Sequence, residues 1–182
     1  MDKTRRLARG ALLTALALGL SYMERFIPLQ LLIPLPGIKL GLANVVTLFA
    51  VYFLGSRAAL QILCVRCLLG SLFGGGVTAF FFSITGGLLA LAAMVLARRL
   101  PFLSIYGVSV CGAAAHHVGQ ILVAVALLRS GYVFAYLPFL LLVAIATGFL
   151  TGAVSAACFR AMIAADLPFT SNMEATYVGK IH

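Results

Sequence analysis

Six long apolar runs dominate this chain: Leu7–Ile27, Leu40–Leu54, Ala58–Phe73, Val77–Ala97, Val108–Leu128 and Val133–Ala157. Hydrocarbon offers the backbone no hydrogen bonds, so a run inside a bilayer must pair its own N–H and C=O groups. A continuously apolar run does this as a helix, whereas a barrel strand would alternate. A span needs about 20 residues. The last three runs reach that length cleanly, the first does so by taking in Arg9 and Glu24 near its ends, and the second and third are short. The sequence therefore predicts an all-α integral membrane protein, with six transmembrane helices over residues 1–165 and a polar, disordered cytoplasmic tail over 166–182. A chain that is 63% hydrophobic and 9% charged cannot form a normal polar shell, which excludes a soluble domain. No small-residue cleavage site precedes Glu24 and Arg25, so the first run reads as a retained span rather than a signal peptide.

The net charge of +9 does not point to nucleic acid, because the basic residues are sorted by loop. Lys3, Arg5, Arg6, Arg9, Arg57, Arg98, Arg99, Arg160 and Lys180 fall on one side of the predicted spans. Arg25, Lys39 and Arg129 fall on the other. The positive-inside rule then places both termini in the cytoplasm of a multi-pass plasma-membrane protein. The remaining cation, Arg66, lies inside the third run. A guanidinium at that depth costs at least ~3 kcal/mol on insertion scales, so it is kept only where it faces protein, a partner or a ligand.

The fifth run carries His116, His117 and Gln120 at its centre. Positions 116 and 120 share a helical face and 117 lies beside 120, which makes a polar stripe aimed at a neighbouring helix. Arg66 and this stripe fall at similar depth, as the linings of one cavity or as an interhelical hydrogen-bond clamp. Two adjacent histidines without a third ligand do not make a metal site. Asn44 at the outer end of the second span, Thr78, Ser83 and Thr85 in the fourth, and Lys39 and Arg129 at the outer edge extend the polar set outward. Such a lining suits an anionic or multiply hydrogen-bonding small molecule, although Lys39 and Arg129 also have the reach to snorkel to headgroups.

Between the first two spans, Pro28 to Lys39 is apolar and broken by three prolines, so it is an extended outer loop, serving as a lid or as a re-entrant connector. Gly70 to Gly76 is uncharged and glycine-rich and reads as a tight turn with close helix approach. Ala11 and Ala15 have the small-xxx-small spacing that lets another helix dock on the first span.

Cys64, Cys67, Cys111 and Cys158 all fall within or at the ends of spans and read as small packing residues. The only acidic residues are Asp2, Glu24, Asp166 and Glu174. No carboxylate pair is available for magnesium or acid–base chemistry, and no nucleotide-binding P-loop is present. Neither an autonomous enzyme nor an ATPase is expected, and no metal or cofactor.

The stretch from Pro36 through Gly41 and Asn44 to Leu48, then Arg66–Phe73, Gly86-Gly87, and Gly107–Val110 through His116 to Gly119-Gln120, resembles the Gx transporter family. That family is labelled heptaprenyl diphosphate synthase component I and is similar to the substrate-binding (S) components of energy-coupling factor (ECF) transporters. The resemblance covers roughly residues 5–165, and PGIKLGLAN is its most specific part. It implies a six-helix S-component fold with an outward pocket under the loop after the first helix. It also implies docking to an ECF transmembrane coupling subunit and two ATPases through small residues that map onto Ala11 and Ala15. His117 stands where the resemblance would place Asn.

Three functions follow as expectations. In the first, an importer's binding subunit captures ligand with Lys39, Asn44, Arg66, His116, His117 and Gln120. In the second, a non-catalytic scaffold holds a prenyl diphosphate synthase catalytic partner through Arg57, Arg98 or Arg99. Direct prenyl synthesis is not expected, because synthases of the usual type resemble one another in aspartate-rich motifs that this chain lacks. The third is a stand-alone facilitator.

Overall fold

The computed structural model describes residues 3–27 and 39–164, the side chains of Lys3, Arg6 and Arg25 excepted. Among them it is all-helical: α1 (Lys3–Met23), a 3-10 turn (Glu24–Phe26), α2 (Asn44–Phe53), α3 (Ser56–Gly70), α4 (Gly76–Ala97), α5 (Ile105–Leu128), a 3-10 stretch (Gly131–Tyr136) and α6 (Leu137–Ala164). The proposed lid, Pro28–Ile38, and the tail from 166 lie outside the described residues.

Three helical stretches are long and apolar enough to cross a membrane: Ser56–Ala97, Ile105–Leu128 and Gly131–Ala164. Leu7–Met23 and Asn44–Phe53 are shorter apolar helices. The first run is helical to Met23 and extended by Ile27, shorter than its apolar length suggested. The second run loses its first residues to a turn, leaving α2 with 10 residues, about 15 Å of helix.

Between α3 and α4 the expected tight turn is a π-helical reversal over Ser71–Gly75, with Gly74 at φ 96° and Phe73 at φ −84°, ψ 41°. A Cβ on Gly87 would stand 2.5 Å from a Leu63 methyl, and these two residues are equidistant from Gly75. α3 and α4 therefore form an antiparallel hairpin.

Lipid supplies no hydrophobic drive between helices, so close approach of small residues does the packing. α5 is the central helix. Gly119 lies against the backbone of Gly86 on α4, where a Cβ would come within 2.7 Å of the Gly86 Cα. On the other flank Gly148 of α6 meets the backbone of Val110. Ser109 and Thr151 share a 2.7 Å hydrogen bond across α5 and α6, and the Ser155 hydroxyl donates to the Val45 carbonyl at 3.5 Å. Large apolar side chains such as Leu7, Leu12, Leu142, Ile145 and Phe149 point outward, as a bilayer demands.

One end of the bundle is basic. Arg98 donates to the Val51 carbonyl at 2.5 Å and lies 5.8 Å from the Tyr52 ring centroid, while Arg9 lies 5.5 Å from that of Phe53. Phe49 and Phe159 stack at 4.9 Å just inside. The cysteines correct their sequence reading: Cys67 is buried, but Cys64, Cys111 and Cys158 are exposed on the apolar surface.

The α4–α5 contact gives a direct test. Gly119→Ala is expected to destabilise the protein by about 1–3 kcal/mol, because the added methyl meets backbone that cannot step aside. Gly10→Ala, where a Cβ meets nothing within 4 Å, is expected to leave thermal unfolding in detergent unchanged.

Candidate functional site

The depth of each polar residue follows from helix rise, taking Arg9, Arg57 and Arg98 as the basic end. At 1.5 Å per residue, Ser21 stands roughly 18 Å along α1 from Arg9, and Arg66 roughly 13 Å along α3 from Arg57. His116 stands roughly 16 Å from the start of α5. Against a hydrocarbon core of about 30 Å these residues form a layer near mid-depth. Asn44 belongs to this layer, because it opens the short α2.

The chain reaches this depth without helix. Lys39 to Ala43 is non-helical, with Gly41 at φ +84°. Non-helical backbone at membrane depth is tolerated only where protein or a cavity encloses it. Here Glu24, 4% exposed, accepts hydrogen bonds from the N–H groups of Gly41 and Leu42. A Cβ on Gly41 would stand 2.8 Å from the Asn44 amide nitrogen and 3.1 Å from the His116 ring. Glycine is required there by conformation and by space.

Around this segment the charged groups are held by hydroxyls. Lys39 donates through Nζ to the Ser83 hydroxyl at 3.1 Å, and Arg66 donates through Nη1 to that of Ser21 at 3.4 Å. These four side chains line a void of about 10 Å³, enough for one water, together with Cys67 and Ala79. Arg66 is 7% exposed, and Gly87 sits beside its second terminal nitrogen.

Several polar atoms of the layer are buried without a hydrogen-bond partner among the described residues: both amide atoms of Asn44, Arg66 Nε, both ring nitrogens of His116, His117 Nε2 and Gln120 Nε2. His116 is wedged between Gly41 and Gly86, with Nδ1 against the Gly86 backbone but completing no hydrogen bond. Each orphaned buried group costs about 1–3 kcal/mol, and such costs concentrate where a ligand or water is received.

The structure brings Asn44 and His116 together at Gly41, with Gly86 behind His116, and Lys39 and Arg66 together around one small void beside Gly87. His117 and Gln120 pair with each other, His117 Nδ1 to Gln120 Oε1 at 3.1 Å, so the stripe divides. The rings of His116 and His117 meet edge to face at 5.9 Å. Thr78 and Arg129 are exposed and stand apart from the layer, with Arg129 capping α5 in the left-handed conformation. Thr85 presents its carbonyl to Gly119. Glu24 was missed as a site residue. The cost argument that singles out Arg66 applies equally to the one carboxylate within an apolar run.

Ala11 and Ala15 lie elsewhere, exposed in a groove of about 860 Å³ between α1 and α3. Its floor is apolar, with Thr14, Gln61 and Arg57 as its polar members.

The family model for heptaprenyl diphosphate synthase component I matches residues 13–158, from α1 to α6. The chain belongs to this family. No curated protein and no solved structure matches it. Every residue of the mid-depth layer falls within the matched stretch. The component I name describes one part of a synthase, and in this member of the family Glu24 is the only carboxylate side chain among the described residues.

The orphaned atoms yield a prediction that separates a ligand site from a structural clamp. Replacing Asn44 by Leu, of similar branched shape, is expected to leave stability unchanged or raise it by up to about 1 kcal/mol, because no side-chain hydrogen bond among the described residues is lost. Ser109→Ala, which breaks the hydrogen bond to Thr151, is expected to lower stability by about 0.6 kcal/mol, read as a fall in the thermal midpoint. A clamp role would make Asn44→Leu the more damaging of the two.

Proposed function

We propose that this chain is the membrane-embedded, substrate-binding subunit of a small-molecule importer of the ECF type, with six spanning helices and both termini in the cytoplasm. It takes ligand from the outer face of the plasma membrane. The observation that carries this reading is the mid-depth layer. Arg66, Asn44 and His116 are buried with polar atoms that have no partner among the described residues, against the non-helical segment Lys39–Ala43. Arg66, Asn44 and His116 contact the ligand, Lys39 sits in the wall that moves, and the His117–Gln120 pair frames the site from behind.

Delivery needs an energy source, and the groove between α1 and α3 is where a partner engages. Ala11 and Ala15 leave room for a helix of a coupling subunit, itself driven by ATPases. The family's name favours a second reading, in which the chain is a non-catalytic membrane partner of a prenyl diphosphate synthase. That reading gives no role to the unpartnered polar layer, which is why we place it second.

Mass spectrometry of small molecules co-purifying with the protein tests the reading. The wild type is expected to carry a ligand that a folded Arg66→Ala variant loses by tenfold or more, about 1.4 kcal/mol of affinity. Full retention by the variant contradicts it. A photo-cross-linker at Ala15 is expected to capture a coupling subunit. Capture of a synthase through Arg57 or Arg98 instead favours the second reading.

A further inference from the structure

Among the described residues the mid-depth layer holds one acidic side chain, Glu24, and two strongly basic ones, Lys39 and Arg66, and their arrangement is unequal. The Glu24 carboxyl is taken up by the N–H groups of Gly41 and Leu42. Among the described residues, Arg66 makes its hydrogen bond to an uncharged hydroxyl, at the long distance of 3.4 Å, and its buried Nε has no partner. Lys39 reaches the Ser83 hydroxyl. With Glu24 as the carboxylate that the two N–H groups it accepts from favour, the described side chains of the layer carry one positive charge in excess.

An unbalanced charge at this depth is costly, and the complement that removes the cost is a single negative charge. A guanidinium with an unpaired Nε also presents the edge that a carboxylate engages in two parallel hydrogen bonds. Resting on the reading of this layer as a ligand site, we propose that Glu24 sets the charge of the ligand. The site takes a singly charged organic anion, a carboxylate, at Arg66, and Glu24 makes it favour a single negative charge over a double one. The water-sized void is too small for such a group, so the ligand displaces the wall formed by Lys39 to Leu42, which pivots at Gly41 and is tied down by Glu24.

The test uses the whole chain in nanodiscs of uncharged lipid, with formate and sulfate at matched ionic strength as the probes and the thermal midpoint as the readout. Formate is expected to raise the wild-type midpoint by on the order of 3 °C near saturation, with a smaller rise in sulfate. Arg66→Ala is expected to lose both responses. Glu24→Gln leaves two positive charges and is expected to reverse the order, favouring sulfate. Should that variant not fold, Lys39→Gln, which brings the layer to zero, is expected to lose the formate response.

If a folded Glu24→Gln keeps formate ahead of sulfate while both responses still require Arg66, the charge rule is overturned and the ligand site stands. The same holds if Lys39→Gln keeps the full response. If neither anion moves the wild type, or the response survives Arg66→Ala, the proposal and the ligand site fall together.

Discussion

Arg66 carries a positive charge into the middle of an apolar bundle, and hydrocarbon does not accept one without compensation. Much of the bundle's centre is arranged to meet that condition. α1 brings the Ser21 hydroxyl, and Gly87 leaves space beside the guanidinium. Glu24, just after α1, and the non-helical Lys39 and Gly41 lie in the same layer. α2 shortens to ten residues so that its first residue, Asn44, opens into this layer instead of ending at a surface.

Two kinds of polar group lie inside the bundle, and they differ in how far they are satisfied. Between α5 and α6, Ser109, Thr151 and Ser155 find partners on neighbouring helices and hold those helices in register. In the mid-depth layer, Asn44, His116 and Arg66 keep buried polar atoms with no partner among the described residues. A structural polar contact is selected to be complete. An incomplete one is retained where something else completes it. The helix contacts enforce the difference: backbone touches backbone at Gly86 and Gly119, which fixes His116 one turn away against Gly41.

The helices were legible because hydrophobic runs of their length have one solution in lipid, and Arg66 was legible because a lone charge in such a run is costly. The pairing of His117 with Gln120 followed from helical spacing. What was not legible came from the path of non-helical chain. Periodicity is silent on where the non-helical Lys39–Ala43 segment lies, so spacing does not show that Glu24 accepts from Gly41 and Leu42. Thr78 and Arg129 look polar enough for a site, but their place in it depends on which way each helix faces, and the helices face elsewhere. Spacing alone likewise gave no means of telling that Cys64 faces outward while Cys67 faces in.

The component I family model spans residues 13–158, and the layer around Arg66 falls within it. The central claim is that Lys39 to Ala43 lies enclosed at membrane depth, tied by Glu24 beneath the polar layer. Hydrogen–deuterium exchange of the native protein in nanodiscs tests this most directly. The Gly41 and Leu42 amides are predicted to exchange as slowly as those of the flanking helices α2 and α5. Exchange at the rate of an open surface loop would contradict the account.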